Sequence, residues 1–155
     1  MKTANVFDAD CDYAPDDPNG YRAGIASVGR EVGGQELAIK VFEIPAGESV
    51  SPYHYEYVEE WLLVIEGSVN IRTPDGEHQL RRGDLVRFAP GPDGAHKVRS
   101  GGEGPARVVM FSSSREPAVA VYPDSDKIGV WPGRVEDHVM LRRADGHVGY
   151  YEGER

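Results

Sequence analysis

Residues 51–67, SPYHYEYVEEWLLVIEG, place one histidine and four acidic residues directly before and within an apolar segment. Alternate residues of a β-strand point to opposite faces of a sheet, so His54 and Glu56 share one face. A turn after these residues would start the next strand at Glu60 and carry its carboxylate to a face with apolar neighbours. A carboxylate that faces a core is costly unless it is paired, protonated or bound to a cation. We therefore expect His54, Glu56 and Glu60 to converge on a divalent metal ion.

The sequence on both sides of this stretch consists of short strand-like segments separated by turn residues. They recur about every eight to twelve residues with Gly, Pro and Asp between them, which indicates an antiparallel sandwich or barrel. Residues 21–29 and 35–44 are predicted to pair as a hairpin across the glycines of REVGG. Residues 121–143 are predicted to form a loop with a short helical turn. Further strands are predicted over 60–66, 68–73, 77–80, 84–88, 95–99 and 106–113, with a last one in 146–154.

We predict one all-β domain, because 155 residues suffice for a single core and no internal repeat is visible. Residues 1–20 are polar and proline-bearing, and we interpret them as an arm over the surface. Residues 21–122 would form the barrel, and residues 123–155 would form an extension that packs on it.

Charge and hydropathy exclude several classes of partner. The 26 acidic and 17 basic residues give a net charge of -9, which would repel nucleic acid. No apolar segment is long enough for a membrane span or a secretory signal, so we expect no membrane partner and a cytoplasmic location. A lone Cys11 offers no intramolecular disulfide, and we interpret it as an ordinary reduced cysteine.

A further histidine follows a later predicted strand. Residues 83–98, GDLVRFAPGPDGAHKV, run from a strand through a corner of Gly and Pro to His96, at the start of the next strand. An imidazole with two carboxylates commonly takes another nitrogen ligand, so we expect His96 to complete the site.

The stretch that contains His54 and Glu60 resembles a motif of the cupin superfamily. Gly47, His54, Glu60 and Gly67 match that motif, with one residue added after Gly47, and Glu56 stands where the family has a second histidine. Such proteins fold as a small antiparallel jelly-roll that holds one metal ion.

The second cupin motif is met more loosely. Gly83 and His96 occupy its ends, with prolines and glycines between them, but Ser100 stands where the motif has a terminal Asn. The resemblance spans residues 47–100. It implies a single-domain cupin jelly-roll (double-stranded β-helix) barrel.

The resemblance also implies a function. We expect one divalent transition metal, Fe, Mn, Ni or Zn, held by His54, Glu56, Glu60 and His96, and a small-molecule substrate or ligand. A metal-dependent dioxygenase or a lyase or isomerase is the leading interpretation, because no helix-turn-helix typical of cupin regulators is legible. The alternative is a non-catalytic cupin module that binds a sugar-like or acidic metabolite.

Glu56 leaves two arrangements open. As a fourth ligand it would bring a divalent ion close to neutral charge and favour harder ions such as Mn(II) or Fe(II). Off the metal, it would be a free catalytic carboxylate beside a two-histidine, one-carboxylate set of the kind found in non-haem Fe(II) oxygenases.

The remaining histidines, His78, His138 and His147, are interpreted as surface residues. The tyrosines at 53, 55 and 57 would face away from the metal and pack under the arm or against a second subunit. Together with the apolar N-terminal strands, this row leads us to expect a homodimer.

Overall fold

The computed structural model describes residues 1–154, and its regular secondary structure consists almost entirely of strands. One short helix, α1, spans Val28–Glu31, and 3-10 turns lie at Pro92–Gly94, Pro123–Ser125 and Val135–Asp137. The strands are β1 Gly24–Ala26, β2 Leu37–Ile44, β3 Tyr55–Glu56, β4 Glu60–Glu66, β5 Ser68–Thr73, β6 Gly76–Arg81, β7 Leu85–Phe88, β8 Lys97–Ser100, β9 Ala106–Ser113, β10 Ala118–Tyr122, β11 Lys127–Trp131 and β12 Val139–Arg142.

These strands pair antiparallel in three sheets with the orders β1-β2-β9-β4-β7, β12-β11-β10-β3 and β6-β5-β8. The prediction of an all-β fold is therefore confirmed. Within residues 1–154 the backbone hydrogen bonds do not close the sheets into one continuous barrel, although the arrangement is consistent with a jelly roll.

Every strand predicted between residues 60 and 113 is present, with ends shifted by at most two residues. The predicted N-terminal hairpin is present as the antiparallel pair β1–β2, but α1 forms within its connection. Gly29 lets this helix approach β2, since a Cβ there would lie 2.9 Å from the Ile39 backbone nitrogen.

The prediction of a last strand within 146–154 is wrong. The prediction for 121–143 is correct in its short helical turn, which Pro123–Ser125 and Val135–Asp137 provide, but strands replace much of the predicted loop. β10 pairs with β11, and β11 pairs with β12, whereas residues 146–154 contain a turn at 150–153 and no strand. The apolar segments KIGVW and VMLR therefore provide the C-terminal strands, and the glycine-rich end provides none. Arg155, the last residue of the predicted extension, lies outside the described residues.

The largest core cluster joins the inward faces of the five-stranded and three-stranded sheets. Leu62, Val69 and Val108 have no exposed surface there. Burial of such side chains contributes about 1.5–3 kcal/mol each, and it makes this face a rigid support for the residues beside it.

The outward face of the five-stranded sheet carries a second cluster, which α1 and the N-terminal arm cover. Arg107 on β9 fastens the arm by donating hydrogen bonds to the carbonyl oxygens of Phe7 and Ala9 and to the carboxylate of Glu43. The arm is therefore packed on the sheet. No helix in the described part of the chain is long and apolar enough to cross a membrane.

Tyr53 and Tyr55 belong to a third cluster, in which they pack against Ala95 and Val121. Tyr57 is exposed and meets the Tyr55 ring edge-on. Two of the three tyrosines are thus buried within the chain itself, so they do not need the second subunit that the sequence suggested.

Candidate metal centre

Glu60 lies at one end of the inward face of the five-stranded sheet. The strand register sets Ala38, Ser112, Glu60 and Phe88 side by side in one row across β2, β9, β4 and β7. Leu62 follows on the same face of β4 and is fully buried. The alternation along EWLLVIE therefore places the Glu60 carboxylate where the hydrophobic core ends.

His54 and His96 approach Glu60 as a pair. Their backbones form an isolated antiparallel bridge, with N–H donors 3.1 Å and 2.8 Å from the partner carbonyl oxygens. One ligand atom from each of His54, Glu60 and His96 lies within 4.8 Å of the others. His54 and Glu60 are each 8% exposed and His96 is 1% exposed, so the cluster is buried.

Both imidazoles are oriented by backbone carbonyl groups. The Nδ1 atom of His96 lies 2.9 Å from the Gly94 oxygen, and that of His54 lies 3.0 Å from the Pro52 oxygen. A carbonyl oxygen only accepts, so Nδ1 carries the proton in both rings and Nε2 keeps its lone pair. Metal-binding histidines commonly have this second contact, because it fixes the tautomer and the ring orientation.

The Nε2 atom of His96 is buried and has no hydrogen-bond partner among residues 1–154. It lies 3.8 Å from Oε2 of Glu60. Native proteins rarely leave a buried polar atom unpaired, and an ion between these atoms would satisfy both. The residues present therefore fit a metal ion.

Burial controls the protonation of this cluster. Desolvation lowers the pKa of His96 to about 3, with a smaller contribution from His54, and it also lowers the pKa of His54. The pKa of Glu60 is raised to about 8, chiefly by desolvation and then by the charge of Glu56, against a lowering effect of Lys40. Since the imidazole is neutral, the contact between His96 and Glu60 is not an ion pair.

Glu56 borders the metal cavity, a cavity that His54 and Glu60 also line, but it is not one of the three clustered residues. It lies on β3, is half-buried, and has a pKa raised by desolvation and lowered by Lys40. The cavity has a volume of about 180 Å³. The predicted role of Glu56 as a ligand or base stays a prediction, with the carboxylate close enough to interact with Glu60.

The other histidines are surface residues, as predicted: His78, His138 and His147 are all exposed. The sequence interpretation missed several neighbours of the cluster. Tyr122 stacks on His54 with ring centroids 5.8 Å apart, and Lys40 lines the cavity. Strand alternation gives a signal for Lys40, which falls between Ala38 and the core residue Phe42 on one face of β2.

An antiparallel all-β fold with a buried His–Glu–His cluster defines a small β-protein with a site that could hold a metal ion. Residues 40–112 match the family model described as Cupin domain. The match covers 73 of the 155 residues and supports the resemblance to the cupin superfamily seen in the sequence.

A curated relative is the tetracenomycin polyketide synthase protein TcmJ of Streptomyces glaucescens. It is 32% identical over 75 residues, which cover 48% of this chain and 49% of TcmJ. The match thus spans about half the length of that relative.

Solved structures share the fold at low sequence identity. A sugar phosphate isomerase of the cupin superfamily from Silicibacter pomeroyi superposes with a TM-score of 0.80 and 17% identity, covering 96% of this chain and 98% of that one. The polyketide cyclase RemF from Streptomyces resistomycificus gives a TM-score of 0.62 and 20% identity, covering 76% and 83% of the two chains.

Proposed function

We propose that this chain is a jelly-roll cupin enzyme that binds one divalent transition metal ion through His54, Glu60 and His96 and acts on a small molecule. The observation that carries the proposal is the buried Nε2 atom of His96, which has no partner among the described residues and faces Glu60 beside His54. Imidazole and carboxylate ligands suit Fe, Mn, Ni and Zn alike.

Glu56 is the proposed catalytic carboxylate. A bound divalent ion would act here as a Lewis acid that polarises a carbonyl oxygen of the substrate. Glu56 would remove a proton from the carbon next to that carbonyl group and return it at a neighbouring position, which is isomerase or lyase chemistry. Its raised pKa brings the carboxyl group closer to the pH at which proton transfer in both directions is efficient.

The relatives favour this class of reaction over oxidation. The Silicibacter protein is described as a sugar phosphate isomerase and RemF as a polyketide cyclase. Their low identity carries the fold alone, so the extension of an isomerase-like reaction to this chain is part of the proposal.

A dioxygenase is the second candidate. Two histidines and one carboxylate are the ligand set of many non-haem Fe(II) oxygenases, and His54, Glu60 and His96 supply that set. Oxygen uptake by the Fe(II)-loaded protein with a candidate substrate would favour this chemistry. Proton exchange without oxygen uptake would favour isomerisation.

Metal analysis tests the site. Purified wild type loaded with Zn(II), Mn(II), Ni(II) or Fe(II) should retain about one ion per chain after desalting. His54→Ala and Glu60→Gln should lose it, whereas the exposed His78→Ala variant should retain it as a matched control. Wild type that holds no ion after loading would contradict the proposal.

A second measurement separates the two roles of Glu56. If it is the base, Glu56→Gln keeps the metal and loses the exchange of substrate hydrogen with deuterated solvent. If it is a fourth ligand, the same variant loses metal as well. A substrate that binds to the metal-loaded wild type without any turnover would instead favour the non-catalytic binding module.

We further propose that the chain is divided as the sequence suggested, into an arm at 1–20, a barrel at 21–122 and an extension at 123–155.

A homodimer also remains a proposal. Its support is now β12, an edge strand on which Val139, Met140 and Leu141 are exposed. Light scattering that finds only a 17.0 kDa species would contradict it.

A further inference from the structure

Lys40 is a lysine on the inward face of a sheet. It lies on β2 between Ala38 and Phe42, which share its face, and the register sets it beside Met110 and Leu62. Leu62 in the same row is fully buried, whereas Lys40 at the end of the row is exposed. Lys40 thus places a charge on the wall of the cavity that this face borders.

Lys40 lies where β2 has a partly free edge. β1 pairs only with residues 41–43 of β2, so the backbone before them has no strand partner on that side. Lys40 is exposed there, and within residues 1–154 it makes no ion pair or side-chain hydrogen bond. It is thus available to a ligand at the cavity mouth.

Among residues 1–154, Lys40 is the only cationic side chain that lines the metal cavity. A divalent ion with the carboxylates of Glu56 and Glu60 gives a site close to neutral, which attracts an anion weakly. Lys40 adds one positive charge and restores the attraction. The remaining wall is partly apolar, with Phe42, Val50 and Met110 contributing to it.

The metal cavity also adjoins a larger one. Ala38 and Lys40 line both the metal cavity and a second cavity of about 380 Å³ beside α1, which Arg30 and Gln35 also line. Lys40 therefore stands at the junction of the two. A ligand that reaches the metal can have its other end at Lys40.

We propose that Lys40 determines specificity by binding a carboxylate of the substrate, whose opposite end carries the oxygen atoms that meet the metal. The substrate class is then a small acidic molecule with an apolar middle that packs on Phe42 and Met110. A single ammonium group matches the single charge of a carboxylate, and such a charge-assisted contact is stronger than a hydrogen bond between neutral groups. This inference rests on the proposed metal site.

The test compares two probe ligands on two forms of the protein. 3,4-Dihydroxybenzoate has a metal-binding pair of oxygen atoms and a carboxylate at opposite ends of an apolar ring. Its methyl ester keeps the ring and the two hydroxyl groups but carries no charge on the carboxyl group. Calorimetry on the Zn(II)-loaded chain, which avoids oxidation of the probe, gives both affinities. Lys40→Met keeps the aliphatic stem and removes the charge, and Lys2→Met on the exposed arm is the matched control.

Wild type and Lys2→Met should bind the acid about tenfold more tightly than the ester, and Lys40→Met should lose that preference. Lys40→Arg should keep most of it. An unchanged preference in Lys40→Met, or none in wild type, would overturn the proposal. Zinc content measured on the same samples tests the metal site separately: absence of zinc would contradict the proposed function, whereas bound zinc with an unchanged preference in Lys40→Met would contradict only the role of Lys40.

Discussion

Phe88 is the residue whose replacement should couple stability most directly to the candidate metal centre. Its ring stacks on the imidazole of His96 with centroids 3.6 Å apart and planes 7° from parallel. It is 4% exposed and belongs to the main core cluster. Phe88 also borders a cavity of about 360 Å³ that Gly94 and Ala95 line.

The size of the effect follows from this position. Replacing a buried Phe by Ala typically costs about 3–5 kcal/mol, which for a domain of this size lowers the melting temperature by roughly 10 °C. Phe88→Leu keeps most of the apolar volume, so it should lose only about 1–2 kcal/mol, much of it the aromatic stacking. Both variants free the His96 ring to turn, so the affinity for a metal ion should fall in both.

Urea unfolding of the metal-free chain measures the stability differences, and titration with Zn(II) measures the affinity. Phe7→Ala is the matched control, because that side chain is 51% exposed and its loss should cost less than about 0.5 kcal/mol. A loss below about 1 kcal/mol in Phe88→Ala, or zinc affinity unchanged in both Phe88 variants, would refute the reasoning.

Two further predictions concern the support of the site. Hydrogen bonds from Tyr13 and Arg107 lower the pKa of Glu43 below its ordinary value of 4.5, so its stabilising contribution is complete above that pH and is lost as the pH falls through the lower folded-state pKa. Urea unfolding in acid should show a smaller loss of stability in Glu43→Gln than in wild type, and identical curves would contradict this. Gly67 has a φ of +68° and a backbone oxygen 2.7 Å from where a Cβ would lie, so Gly67→Ala should destabilise by more than Gly47→Ala, which has a φ of +81° and open space. Equal melting temperatures for the two variants would show that the close contact is unimportant.

The clustered residues were predictable because their signal is local. Strand alternation alone places the Glu60 carboxylate inward, and the spacing of turn residues brings His96 to the start of a strand. The structure then joins His54 to His96 by a direct backbone bridge. Such a bridge needs only the antiparallel pairing that the strand pattern already indicates.

The environment of the cluster was not predictable, because it depends on the register between strands distant in sequence. The stacking of Phe88 on His96 and of Tyr122 on His54 arises from neighbours on other strands.

The C-terminal strands were missed for a related reason. β12 is exposed along its whole length and lacks the alternation of a half-buried strand, so its pairing with β11 gives no hydrophobic pattern to read.

Lys40 shows how the local sequence pattern and the strand register combine to set the charge of the site. The substitution of Glu56 for a histidine, considered from the sequence alone, predicts a metal site with almost no net charge and thus a weak attraction for anions. The register brings a lysine from β2 into the same cavity and reverses that expectation. The charge of a metal site therefore has to be counted over the whole cavity wall, because a cation outside the ligand set decides which substrates the ion meets.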